Sequence, residues 1–175
     1  MAKQYGFYVN TDYCIKCWAC EVACKQWNGI KAGTIARRKV VEITTGTFPN
    51  VKRTFVSMSC MHCEKPACMN VCPAGAISKR PEDGIVVVDK QKCIGCHYCF
   101  FACPFGVPQY TDEGMDKCDT CLGIGRKEGE MPHCVLTCPT QAIKFGPLDE
   151  LRKEVAERAA KKIAVADTNP SIIIS

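Results

Sequence analysis

Short apolar runs separated by polar turns dominate the hydrophobic pattern of this chain. Residues 35–43 and 51–57 are rich in β-branched side chains and flank a turn at 46–50, so they predict a β-hairpin. The runs at 85–88 and 172–174 have the length of single strands. No run approaches the roughly 18 apolar residues that a membrane-spanning helix needs, so we expect a soluble or peripheral protein.

One longer helix is predicted near the end of the sequence, over residues 148–164. The segment is rich in strong helix formers, with acidic residues early and basic residues late, as the helix dipole favours. Leu148, Leu151 and Val155 share one face, so we expect the helix to pack on the body of the protein. The apolar segment 169–175 is expected to dock on the body or on a partner chain.

Cysteine is the main chemical feature, with 16 cysteines among 175 residues. They form four groups of four: Cys14, Cys17, Cys20 and Cys24; Cys60, Cys63, Cys68 and Cys72; Cys93, Cys96, Cys99 and Cys103; Cys118, Cys121, Cys134 and Cys138. Thiols so close in sequence suit a metal centre better than disulfides to distant partners. The first residues also show no secretory signal, so an oxidising environment is not implied.

The spacing inside the groups favours iron–sulfur clusters over zinc. Groups one and three read C-x2-C-x2-C-x3-C, and Pro104 follows group three, as in bacterial two-cluster ferredoxins. Group two is stretched to C-x2-C-x4-C-x3-C and group four to C-x2-C-x12-C-x3-C. Structural zinc sites pair C-x2-C units, which makes zinc the competing metal. The recurring C-x2-C-x2-C and C-x3-C-P units instead predict 4Fe-4S clusters.

Two internal repeats indicate how the chain is organised. Residues 6–17 resemble 84–96, and residues 71–78 resemble 137–144. The predicted fold is α+β, with two pseudo-symmetric bacterial-ferredoxin-like modules, one inserted in the other. Residues 1–54 and 111–147 would form the first module with the hairpin 35–57, residues 55–110 the inserted second module, and residues 148–175 a C-terminal helix and docking tail.

The charge balance changes once clusters are considered. The formal net charge is +5 with every thiol counted as neutral. Each oxidised cluster with four thiolates carries roughly two negative charges, so four clusters would bring the total to about −3. The basic balance therefore gives no reason to expect a nucleic-acid partner. The basic run Arg37, Arg38 and Lys39 is expected to be a solvated strand end, with partner docking as the alternative.

Histidines and aromatic residues lie beside the cysteine groups. We expect His62, His97 and His133 to hydrogen-bond near cluster sulfurs rather than to bind iron, because sixteen thiols already fill four clusters. Two interpretations remain open for the aromatic side chains, shielding of the clusters from water and ordinary core packing. These side chains are Trp18, Trp27, Phe100, Phe101 and Phe105.

No catalytic motif accompanies the cysteines. The sequence has no Walker loop, no G-x-G-x-x-G fingerprint and no nucleophile elbow. Because cysteine would fill every ligand position, no iron is left open for a substrate. The sequence therefore predicts a protein that transfers electrons and is not itself an enzyme.

Over nearly its whole length the chain resembles the iron–sulfur subunits of dimethyl sulfoxide reductase-type molybdenum enzymes. The resemblance is carried by residues 4–7, 14–25, 59–64, 71–73, 93–96, 98–99, 102–104, 108–110, 117–119 and 145–151. It implies cluster one on Cys14, Cys17, Cys20 and Cys138, cluster two on Cys118, Cys121, Cys134 and Cys24, cluster three on Cys93, Cys96, Cys99 and Cys72, and cluster four on Cys60, Cys63, Cys68 and Cys103. Each module would then hold two clusters.

The resemblance also implies partners. In the family, cluster one faces a large catalytic subunit with a molybdenum or tungsten bis-pterin cofactor, and cluster four faces a membrane anchor that exchanges electrons with quinol. This chain lacks the long C-terminal extension of the family, which leaves the anchor open. A free-standing soluble polyferredoxin is the alternative, although the hairpin and the apolar tail favour a subunit. A cytoplasmic location and export in folded form with a signal-bearing partner both remain open.

Overall fold

The computed structural model describes residues 3–155, 161–162 and 170–174. The strands are β1 (Tyr5–Val9), β2 (Arg38–Thr45), β3 (Lys52–Ser59), β4 (Ile77–Lys79), β5 (Val86–Val88), β6 (Gln109–Thr111), β7 (Gly114–Asp116), β8 (Ile143–Pro147), β9 (Lys161–Lys162) and β10 (Ile172–Ile174). The α-helices are α1 (Ala19–Trp27), α2 (Ala67–Asn70), α3 (Tyr98–Ala102), α4 (His133–Leu136) and α5 (Leu148–Val155). The predicted combination of helices and strands is confirmed, and it takes the form of short helices and small sheets.

The largest sheet has the order β8-β1-β10-β9. Strand β1 runs antiparallel to β8, with Phe7 opposite Phe145, and parallel to β10, with Phe7 opposite Ile172. Side chains alternate across β1, so Phe7 and Val9 enter the central core while Tyr8 packs on the other face. The apolar tail therefore docks on the body of its own chain as strand β10.

The predicted hairpin is present as β2 and β3, in antiparallel register with Arg38 opposite Ser59 and Thr45 opposite Lys52. Val40 on β2 and Val56 on β3 pack against the central core. The hairpin thus packs on the central core, which also holds cysteines of groups one, two and four.

Two further two-stranded sheets lie around the second and third cysteine groups. Strand β4 pairs with β5, and β6 pairs with β7, both in antiparallel register. Ile77, Val86, Cys99 and Met115 form a separate buried cluster there. This smaller core surrounds group three and the later cysteines of group two, Cys68 and Cys72, whereas Cys60 and Cys63 pack with the central core.

Helix α5 packs on the outer face of the large sheet. Leu148 and Leu151 contact Tyr8 and Ile173 in a small buried cluster, as the predicted apolar face requires. The predicted helix 148–164 is wrong at its far end, because Lys161–Lys162 form strand β9, which pairs antiparallel with β10. Residues 156–160 and 163–164 lie outside the described residues. Among the described residues, no helix combines the length and the apolar character needed to cross a bilayer.

A close approach of two strands makes Gly6 sensitive to substitution. A Cβ atom on Gly6 would stand 2.2 Å from the carbonyl oxygen of Ser171, whereas one on Gly146, directly opposite in the sheet, would meet nothing within 4 Å. We expect Gly6→Ala to lower the free energy of unfolding by about 1–3 kcal/mol. Thermal unfolding of the cluster-loaded chain measures this, with Gly146→Ala as the matched control. Equal midpoints for the two variants would contradict the packing described here.

Candidate metal centres

None of the sixteen cysteines is in a disulfide, and they are carried by loops and by the short helices α1 to α4. In the loop of group one, Lys16 and Trp18 adopt positive φ angles of 57° and 56°. At the equivalent positions of group three, Gly95 and His97 both have φ of 66°. Alternation of such left-handed residues with ordinary ones turns successive N–H groups to one side, as in anion-binding backbone nests. The loops are therefore shaped to surround a negatively charged group.

One cavity brings together thiols of groups two and three. Cys72, the last cysteine of group two, lines it with Cys93, Cys96 and Cys99 of group three. The rest of the wall is mostly apolar and includes Ala76, Ile77, Val88, Met115 and Tyr110. The contributors are the four residues that the resemblance implies for cluster three.

A second cavity brings together thiols of groups one and four. Cys24, the last cysteine of group one, lines it with Cys118, Cys121 and Cys134 of group four. Burial raises the pKa of the Cys24 thiol to about 12, with Cys134 and Cys121 among the neighbours that raise it further. These are the four residues that the resemblance implies for cluster two.

The thiols implied for cluster four are also neighbours. Burial raises the pKa of Cys68 to about 12, and the charges of Cys60, Cys103 and Cys63 act on it in the same direction. Lys117 acts in the opposite direction, because a nearby cation favours the thiolate. Group three therefore supplies its last cysteine, Cys103, to the surroundings of group two.

Among the thiols implied for cluster one, Cys20 and Cys138 are neighbours. Burial raises the pKa of Cys20, and the nearby charges of Cys134 and Cys138 raise it too. Cys14 is half-buried and Cys17 exposed in the same loop. Cys138, from group four, thus lies near the first group, although the structure also keeps Cys134 close to Cys20.

The surroundings of the thiols fit iron–sulfur clusters. Backbone N–H groups approach the sulfurs of several cysteines, from Ala76 to Cys72 at 3.3 Å and from Thr120 to Cys118 at 3.4 Å. Such donors stabilise negative charge on ligand sulfur and tune cluster potentials. Buried thiols with raised pKa values bind metal only as thiolates, so cluster binding and loss of their protons are coupled. The two cavities that bring four sulfurs together, with donors directed at those sulfurs, match the needs of a 4Fe-4S cube.

The expectation of a solvated basic run is wrong for two of its three residues. Arg38 is only 1% exposed. Arg37 is half-buried and forms a bidentate ion pair with Asp116, in which Nε and Nη2 each lie 2.7 Å from a carboxylate oxygen. Lys39 alone is exposed. The reason is that β2 turns Arg38 inward, where the guanidinium donates to the hydroxyl of Ser57 at 3.0 Å.

Arg38 lies against the central core and among the thiols. Its guanidinium carbon is 4.4 Å from the centre of the Phe7 ring, a favourable cation–π position. Burial lowers the pKa of Arg38, but the charges of Cys134, Cys118, Cys20 and Cys24 raise it by more, so the net shift is upward. The negative charge of the thiolates therefore explains why an arginine is stable at this depth.

The three histidines have distinct surroundings. His62 is buried, its Nδ1 accepts the N–H of Val86 at 3.1 Å, and desolvation holds its pKa well below the usual range, so the ring is neutral. His97 stacks on Tyr110 at 3.6 Å and His133 on Trp27 at 3.9 Å between ring centres. Their expected hydrogen bonds to cluster sulfurs stay a prediction.

Most of the aromatic residues beside the cysteine groups are on the surface. Trp18, Trp27, Phe100 and Phe101 are exposed, so ordinary core packing is the wrong interpretation for them. Phe105 is the exception, because it packs partly buried against the central core. Shielding of a cluster therefore stays a prediction for the exposed four.

Some neighbours of the thiols were not predicted. The hydroxyl of Ser57 lies 3.3 Å from the sulfur of Cys20, and that of Tyr110 lies 3.0 Å from the sulfur of Cys99. Lys117 is buried and donates to the carbonyl oxygens of Val86 and Cys118. The available signal in the sequence was a polar residue close to a cysteine group, but solvent-exposed polar residues give the same signal.

Known proteins with similar sequences identify the family in which these cysteine groups occur. The 4Fe-4S dicluster domain family matches residues 51–148, more than half of the chain. The B component of anaerobic dimethyl sulfoxide reductase from Escherichia coli is 45% identical over 170 residues, covering 91% of this chain and 82% of its own length. Protein NrfC of the same organism is 37% identical, with coverages of 91% and 72%.

A third relative is named for a different activity. The B component of sulfite dehydrogenase from Allochromatium vinosum is 36% identical over 176 residues, covering 87% of this chain and 72% of its own length. The similarity in each case extends over most of the sequence and confirms the resemblance found there. The protein belongs to the family of 4Fe-4S dicluster proteins that includes the B component of anaerobic dimethyl sulfoxide reductase, and it is an electron-transfer subunit whose 16 cysteines serve four 4Fe-4S clusters.

Proposed function

We propose that this subunit conducts electrons between a large catalytic subunit with a molybdenum or tungsten bis-pterin cofactor and a quinone-linked membrane anchor or another redox partner. The observation that carries the proposal is the presence of two cavities that are each lined by four thiols. Each bound cluster would accept and release one electron. The chain itself holds the clusters, limits the access of water and supplies donors to their sulfurs.

We assign the ligands in crossed sets. Cluster one takes Cys14, Cys17, Cys20 and Cys138; cluster two takes Cys118, Cys121, Cys134 and Cys24; cluster three takes Cys93, Cys96, Cys99 and Cys72; cluster four takes Cys60, Cys63, Cys68 and Cys103. The two cavities support clusters two and three. The neighbours of Cys68 support cluster four, and the neighbour Cys138 of Cys20 supports cluster one.

The crossed sets imply two modules, residues 1–54 with 111–147 and residues 55–110. Repeated hydrogen bonds support this division. The N–H of Asn10 donates to the carbonyl oxygen of Ala142 at 2.8 Å, and the N–H of Asp89 donates to that of Ala76 at the same distance. Asn10 and Asp89 each stand four residues before the first cysteine of a group. Such equivalent contacts are what a duplicated fold would retain.

Helix and strand pairing support the same division. Helix α1 packs on α4, and α2 packs on α3, so group one contacts group four while group two contacts group three. The strand before group one pairs with the strand after group four, as β1 with β8. The strand before group three likewise pairs with the strand after group two, as β5 with β4.

The surface favours a subunit over a free-standing polyferredoxin. Large apolar side chains are exposed around group one, including Ile15 and Trp18, and around group three, including Ile94 and Phe101. Several exposed apolar side chains beside one cysteine group are what a docking site for a partner subunit would supply. The apolar tail no longer distinguishes the two functions, because it pairs with strand β1 of its own chain. Nucleic acid is not among the proposed partners.

The assignment of Cys138 gives a first test. We expect Cys138→Ser to damage cluster one, although Cys138 is four residues from Cys134, which belongs to cluster two. The physical reason is the crossing of the last ligand between the two clusters of a module. Electron paramagnetic resonance of the reduced complex would show the altered centre.

Cys134→Ser is the matched control, because it removes a thiol from the same short segment. It should alter the signal of cluster two and leave that of cluster one. If both variants change the same signal, the crossed assignment of group four is wrong.

Association with a partner tests the role as a subunit. Purified from its native source under non-denaturing conditions, the chain should elute with a large subunit that contains molybdenum or tungsten and a pterin. Size-exclusion chromatography with metal analysis of the peak measures this. A monomer that retains four clusters and elutes without a large partner would favour the free-standing polyferredoxin.

A further inference from the structure

Arg38 is a buried cation that lies among the ligands of two clusters. It lines the cavity of Cys24, Cys118 and Cys134, and the charge of Cys20 from the next site also acts on it. At 1% exposure its charge is shielded from water. Fixed charges interact strongly in such low-dielectric surroundings.

The hydrogen bonds of Arg38 go to neutral groups. Its guanidinium donates to the hydroxyl and the carbonyl of Ser57, at 3.0 and 3.3 Å, and to the hydroxyl of Ser59 at 3.0 Å. The adjacent Arg37 is instead paired with two carboxylates, Asp116 at 2.7 Å and Asp119 at 3.3 Å. The charge of Arg38 is therefore directed at the sulfurs, whereas that of Arg37 is largely compensated locally.

The same bonds fix the direction of the Ser57 hydroxyl. A guanidinium can only donate, so the oxygen of Ser57 accepts from Arg38 and keeps its own hydrogen free. The sulfur of Cys20 is 3.3 Å from that oxygen, and a ligand thiolate can only accept. Ser57 therefore donates to Cys20, with Arg38 holding it in place.

We propose that Arg38 and Ser57 together raise the reduction potential of cluster one, and that Arg38 alone also raises that of cluster two. This proposal rests on the ligand sets proposed above. Reduction adds one electron from the neighbouring cluster or an added reductant, and no bond forms or breaks. The added negative charge is stabilised by a nearby fixed cation and by hydrogen bonds to ligand sulfur, so both raise the potential.

Arg38 and Ser57 act on the cluster in different ways, which makes the two contributions separable. Arg38 acts through its charge, which reaches the sulfurs of both clusters. Ser57 acts through one hydrogen bond to one ligand, Cys20. The effect on clusters three and four is expected to be smaller, because the largest charges that act on Arg38 are thiols of clusters one and two.

The test is a potentiometric titration of the cluster-loaded complex with dithionite, followed by electron paramagnetic resonance. The signals of clusters one and two are first assigned with Cys138→Ser and Cys134→Ser. Arg38→Met should lower the potentials of both clusters, and Ser57→Ala should lower that of cluster one alone. Arg38→Lys keeps the charge and should restore most of the potential of cluster two.

Lys39→Gln is the matched control, because it removes one positive charge from the neighbouring exposed position, where water and salt screen it. It should leave all four potentials unchanged. A fully loaded Arg38→Met variant with unchanged potentials, or one with all four lowered equally, would overturn the proposal without affecting the proposed function.

If the Arg38→Met variant does not bind clusters, the Ser57→Ala variant tests the proposal instead. An unchanged potential of cluster one in that variant would contradict the inferred hydrogen bond. Absence of 4Fe-4S signals from the wild-type complex would be a different result, because it would remove the proposed function itself.

Discussion

Negative charge on buried sulfur is the constraint on which this structure depends. Seven of the sixteen cysteines are buried, and burial alone holds thiols in the neutral form that does not bind iron. The chain offsets this with backbone N–H groups directed at the sulfurs and with cations placed at depth. Arg38 and Lys117 are both buried, and charges from the thiols act on Arg38 strongly enough to outweigh its own desolvation.

The same constraint explains the small sheets and short helices. Cysteines make up much of the apolar interior, since Cys20, Cys60, Cys118 and Cys134 belong to the central core together with Phe7. A core built partly from metal ligands is complete only when the clusters are bound, so cluster binding and folding are coupled. Strands β1, β8 and β10 supply the apolar layer against which cysteines of groups one, two and four pack.

The sequence predicted the parts that local pattern determines. The cysteine groups follow from spacing, and the hairpin follows from β-branched runs on either side of a turn. The burial of Arg38 could not be predicted from the sequence. Val40, Val41 and Ile43 place apolar side chains on both faces of β2, so the pattern does not show which face is buried. The parallel pairing of residues 172–174 with β1 could not be predicted from the sequence either, because it joins segments that are far apart along the chain.

The central claim is that sixteen thiolates hold four iron–sulfur cubes, and quantitative metal and sulfide analysis of the fully loaded chain tests it most directly. With four iron and four sulfide per cluster, the account predicts about 16 atoms of each per chain. A colourless chain that contains zinc and no acid-labile sulfide, or one with far less iron and sulfide at full loading, would contradict it.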